Sequence, residues 1–102
     1  MIDWARVSEL RDEVGAEDFD EVVELLLEEV DEAIAALRDL MDLSKLEPQC
    51  HFLKVSALNI GFREFVNLCQ AGEAAAAAGL GEDVEIAAIV QSYAEAREVL
   101  IN

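Results

Sequence analysis

One histidine occurs in the chain, His51, in the string Cys50-His51-Phe52-Leu53-Lys54-Val55-Ser56-Ala57-Leu58-Asn59-Ile60-Gly61. Imidazole is the side chain that is ordinarily neutral, and so nucleophilic, near pH 7 without special tuning. Three positions on, Lys54 shares the flank of His51 if the string is helical. An ammonium there can screen the charge of an anion attached to the ring. The pair suits a histidine that carries a phosphoryl group, with the ring as nucleophile and the lysine as counter-charge.

The elements that position this pair follow from periodicity. Ser44, with Glu47 three residues later, has the pattern of a capping box. Pro48 falls in the first turn of the helix so begun, where its missing N–H costs nothing. That helix runs through His51 to about Gly61. Each residue advances about 100° around the axis, so Cys50, Leu53, Ala57 and Ile60 form its core stripe and His51 points toward solvent. Extending the same wheel puts Val55, Leu58 and Phe62 on the outer side with His51. Exposed apolar side chains around a histidine mark a partner site more than a solvated face. The segment 45–63 is also the basic exception in this chain, with Lys45, Lys54 and Arg63 against one acid, Glu47.

Elsewhere the reading is uniformly helical. A short helix from Asp3 to about Val14 presents Trp4, Val7, Leu10 and Val14 and ends at Gly15. Asp18 is expected to cap a long second helix with the stripe Phe19, Val22, Val23, Leu26, Val30, Ala33, Leu37, Leu40 and Met41. Its acids, Glu21, Glu24, Glu28, Glu29, Asp31 and Glu32, read as a solvated face. After Gly61 the chain continues helically through Phe62, Phe65 and Cys69 into Ala74–Ala78, with a kink or break at Gly61. Gly79 and Gly81 form a turn, and Asp83 opens a last helix with the stripe Ile86, Ile89, Val90, Tyr93, Ala96 and Leu100. The expected fold is all-α: an antiparallel up-and-down four-helix bundle with a short additional N-terminal helix.

Composition narrows the function. With 102 residues, 54% hydrophobic residues and one proline, the chain has the size and content of a single domain, residues 1–102. A net charge of −16 repels nucleic acid and anionic lipid. No Gly-rich phosphate loop for ATP is present, and no apolar stretch is long enough to cross a bilayer. Met1-Ile2-Asp3-Trp4 lacks the start of a signal peptide, so a cytoplasmic location is expected. Cys50 and Cys69 fit a reducing compartment as buried apolar residues, and no cysteine or histidine cluster has metal-ligand spacing.

The string around His51 resembles the histidine-containing phosphotransfer (HPt) domain family, whose pattern is His-x-x-Lys-Gly-Ser/Thr with an Asn-hydrophobic-Gly ending. His51, Lys54, Ser56, Asn59 and Gly61 fall on those positions, and Val55 stands where the family usually has glycine. The resemblance implies a phosphorelay carrier. His51 would accept a phosphoryl group from a response-regulator receiver aspartate and pass it to another receiver, Lys54 would screen it, and Val55, Leu58, Phe62 and Arg63 would form the docking face. It further implies that the receiver supplies Mg²⁺, that this chain needs no cofactor of its own and is no enzyme in the usual sense, and that a hybrid sensor histidine kinase is a second kind of partner. A monomer is expected. A polar group from a neighbouring helix should orient the ring, but the sequence does not name it. The competing reading is an interaction module that sequesters a receiver or kinase domain without being phosphorylated.

Overall fold

A computed structural model describes residues 2–101. Among them are five α-helices: α1 (Trp4–Val14), α2 (Ala16–Arg38), α3 (Leu46–Asn59), α4 (Arg63–Ala77) and α5 (Ile86–Ile101). Single 3₁₀ turns at Leu43–Lys45 and Gly81–Asp83 lead into α3 and toward α5. Four long helices pack as a bundle and α1 leans on α2 and α3. The molecule measures 43 × 21 × 20 Å, longest along one axis. No helix among the described residues is long and apolar enough to cross a membrane.

The core takes one stripe from each helix. It contains Leu10 of α1, Phe19, Val23, Leu27, Val30, Ile34 and Leu37 of α2, and Leu46, Cys50, Leu53 and Ala57 of α3. Ile60 and Phe62 at the turn after α3, Phe65 and Cys69 of α4, and Ile89, Tyr93 and Ala96 of α5 complete it. Phe62 and Phe65 tilt against the Tyr93 ring at 5.9 and 5.4 Å between centroids, the offset geometry that aromatic quadrupoles favour. The Tyr93 hydroxyl keeps its polar end satisfied by donating to Asp31 Oδ1 at 2.6 Å.

Asp3 caps α1 as expected, accepting from the Arg6 amide. Three other helix starts differ from the sequence reading, and one of them is α5, which begins at Ile86 beyond a 3₁₀ turn that holds Asp83. Gly15 at φ +88° leads directly into Ala16, so α2 begins before Asp18 and lacks a side-chain cap. Ahead of α3, Asp42 caps the 3₁₀ turn, accepting from both the amide and the hydroxyl of Ser44, and α3 itself has no side-chain cap. Ser44 is thus a donor inside a 3₁₀ turn and not the helix cap. The α2 stripe is also rotated: Leu27 and Ile34 are buried, whereas Met41 lies past the helix end and is almost fully exposed.

The break between α3 and α4 decides where the site lies. Gly61 adopts φ +73°, a left-handed conformation that costs a residue with a Cβ. The Phe62 amide donates back to the Ala57 carbonyl, the six-to-one bond of a glycine-terminated helix. The chain reverses there, and α3 and α4 form an antiparallel hairpin with the most extensive helix–helix contact of the fold. This overturns one docking expectation. Phe62 is fully buried, because the 100° wheel of α3 stops at Gly61 and the reversal swings the ring under Tyr93.

Candidate functional site

The reversal centred at Phe62 sets the register of the hairpin. His51 lies eleven residues before Phe62 and Glu73 eleven after it. Across the antiparallel pair these two side chains meet: His51 Nδ1 is 2.7 Å from Glu73 Oε2. The other carboxylate oxygen, Oε1, accepts from Lys54 Nζ at 2.6 Å. Lys54 Nζ also donates to Gln70 Oε1 at 3.0 Å. One carboxylate from α4 therefore ties together the two residues of α3 that the sequence singled out.

The electrostatics of this group are directional. The Lys54 ammonium, and to a smaller extent the hydrogen bond with His51, hold the Glu73 carboxyl below the usual carboxylate range. An ionised carboxylate only accepts hydrogen bonds. The proton between Glu73 and the ring must then sit on Nδ1. In the neutral ring the Nε2 lone pair is then on the opposite edge of a side chain that is 58% exposed. Lys54 and Glu73 are each only 18% exposed. The imidazole faces outward, and the groups that orient it lie one layer in.

Around His51, Phe52, Val55 and Leu58 are each close to half exposed. Val55 and Leu58 stand where the sequence reading put them, and Phe52 adds an aromatic ring that it did not include. Arg63 is exposed in the first turn of α4, with an ion pair to Asp3 at 3.4 Å. The sequence reading left Glu73 and Gln70 unnamed. A signal for Glu73 was present: it is the single charged residue between Glu64 and Glu82, in a stretch dominated by alanine. Using that signal requires the register fixed by the turn at Gly61.

Among the described residues no group of three histidine, cysteine, aspartate or glutamate side chains forms a metal-binding cluster. Cys50 and Cys69 are free thiols and both buried. Burial pushes the Cys69 thiol up to about 12, so it is inert as a nucleophile at neutral pH.

No curated protein and no solved structure is significantly similar to the chain. A family model, that of the Hpt domain, matches residues 21–99 of the 102. That span covers α3 and α4 entire, together with most of α2 and α5. An all-helical bundle, an exposed histidine on its third helix and a match over most of the sequence agree, and the chain belongs to the Hpt domain family.

Proposed function

We propose that His51 is the phosphoryl acceptor and that the chain shuttles phosphoryl groups between receiver domains. Membership of the Hpt family implies histidine phosphotransfer in two-component signalling, through a phosphocarrier module that meets receiver domains and kinases. The observation that supports His51 as the site is the Nδ1···Glu73 contact, which in the neutral ring directs the Nε2 lone pair to the exposed edge.

In this reading a receiver carrying an aspartyl phosphate docks over α3. The Nε2 lone pair attacks phosphorus in line, the N–P bond forms, and the acyl P–O bond breaks. The electron pair of that bond leaves with the receiver aspartate as carboxylate. The Nδ1 proton stays in place, and the positive charge developing on the ring is stabilised by Glu73. Transfer to a second receiver runs the same steps in reverse. Chemistry of this kind depends chiefly on positioning and charge stabilisation. Phe52, Val55 and Leu58 form the apolar docking surface in this reading, and Lys54 screens the bound phosphoryl group. Residues 1–102 act as a single domain, monomeric and working in the cytoplasm.

The test is transfer from a phosphorylated receiver to wild type and to His51→Gln. The variant should keep its helical spectrum and lose all label, and label on the wild type should be acid-labile and base-stable, as an N–P bond is. Undiminished labelling of His51→Gln would refute the assignment. Tight receiver binding with no label on wild type would favour a sequestering module instead.

A further inference from the structure

The residue behind Glu73 is a glycine in the middle of a helix. Gly72 is buried in α4, and its backbone has no left-handed conformation to account for it. Glycine is the poorest helix former after proline. The surrounding sequence chooses alanine at Ala71 and from Ala74 to Ala78. Space decides the exception. A Cβ on Gly72 would lie 3.1 Å from Cys50 Sγ, while Val84 Cγ1 and Ile89 Cδ1 would stand at ordinary contact, 3.4 and 3.5 Å. Cys50 is fully buried and directly precedes His51, as Gly72 directly precedes Glu73. The layer beneath the site is therefore a sulfur packed against a bare helix backbone.

We propose that Gly72 is a positioning residue: by letting α4 close onto the Cys50 sulfur, it brings Glu73 within hydrogen-bond reach of His51. This rests on the phosphocarrier reading for its meaning, though not for its geometry. The 2.7 Å contact between His51 Nδ1 and Glu73 Oε2 has little slack, since a hydrogen bond weakens as its atoms separate beyond about 3.2 Å. A methyl group at 72 must push the sulfur or the helix by a few tenths of an ångström. Interiors are close-packed and pass such displacements on to the next layer.

The experiment compares wild type, Gly72→Ala, Cys50→Ala and the double variant Cys50→Ala/Gly72→Ala. The tautomer of His51 is read by ¹⁵N NMR, and the rate of His51 labelling is measured with the small phosphoryl donor phosphoramidate. Thermal unfolding is recorded beside both. Gly72→Ala should convert a ring held as Nδ1–H into a mixture of tautomers. It should also slow labelling about fivefold, the value of roughly one net hydrogen bond. Removing the sulfur makes room, so the double variant should return to within about twofold of Cys50→Ala in both readouts.

If Gly72→Ala lowers only the melting temperature and leaves tautomer and rate unchanged, glycine is there for packing alone and the proposal is wrong. A double variant that folds without regaining the Nδ1–H form overturns it as well. If Gly72→Ala does not fold, the double variant decides in the same way against Cys50→Ala. Absence of label on wild type would refute the phosphocarrier reading, while the tautomer comparison would still decide the role of Gly72.

Discussion

Replacing Gly61 with alanine should cost this domain a large part of its stability, for two separable reasons. The first is conformational. Gly61 sits at φ +73°, where an L-residue with a Cβ pays about 1–2 kcal/mol. The second is steric. A Cβ there would lie 2.7 Å from the carbonyl oxygen of Asp3, a backbone atom that cannot rotate aside. The segment entering α1 must move instead. That movement strains the Asp3 amide bond to the Gly61 carbonyl, now 2.7 Å long, a loss of about 1 kcal/mol. Together these come to about 2–3 kcal/mol. For a domain of this size that corresponds to a drop of about 10–20 °C in melting temperature. The assay is thermal and urea unfolding of wild type and Gly61→Ala, repeated in a chain lacking residues 1–3. In the shortened chain the clash is gone, and the substitution should cost only the conformational part, about 1–2 kcal/mol. A loss below about 1 kcal/mol in the full chain, or an equal loss in both backgrounds, would refute the reasoning.

The site and core carry further predictions. Lys54→Ala should slow transfer from a phospho-receiver about tenfold, and ¹³C NMR should show the Glu73 carboxyl returning toward the ordinary range, since Lys54 is the main cause of its depression. Because that carboxyl lies lower in the folded protein, its contribution is present above the ordinary glutamate range near pH 4.3. The contribution is lost as pH falls through the depressed value. The Nδ1–H tautomer of His51 should therefore survive to mildly acidic pH wherever the ring is neutral, and Glu73→Gln should weaken that preference. Tyr93→Phe should cost about 1 kcal/mol of unfolding free energy, by removing the hydroxyl that donates to Asp31, and should leave labelling of His51 unchanged. In the proposed docking the bulk of Val55 keeps a partner backbone at a distance, so Val55→Gly should broaden the set of receivers served, measured by transfer across a receiver panel.

Helix α3 was legible because its core stripe is unambiguous: Cys50, Leu53, Ala57 and Ile60 are all buried. His51, Val55 and Leu58 then had to face outward. The wheel failed for Phe62 because it was carried past Gly61, where the left-handed residue resets the direction of every following side chain. The α2 stripe was misjudged at Leu27 and Ile34 because that helix offers apolar residues on more than one side, Leu25 being exposed and Leu27 buried. Composition along a helix does not say which face the other helices will cover. Glu73 stayed unnamed for a related reason. Its partners are 19 and 22 residues away, and only the hairpin register brings them together. The fold class and family were carried by local patterns, which the bundle and the Hpt match support.

The hairpin has a consequence for how the site comes into being. Every polar contact that ties His51, Lys54, Glu73 and Gln70 together lies within one continuous stretch, with a largest separation of 22 residues. Closing a loop of that length costs little chain entropy, and the cost grows only slowly with length. Contacts of such short range belong to the fast end of the folding spectrum. The pairing of imidazole and carboxylate needs two helices and one turn, and none of its polar partners comes from α1, α2 or α5. The chemistry is encoded as a neighbourhood in the chain, which a newly made polypeptide can assemble before its last helix has docked.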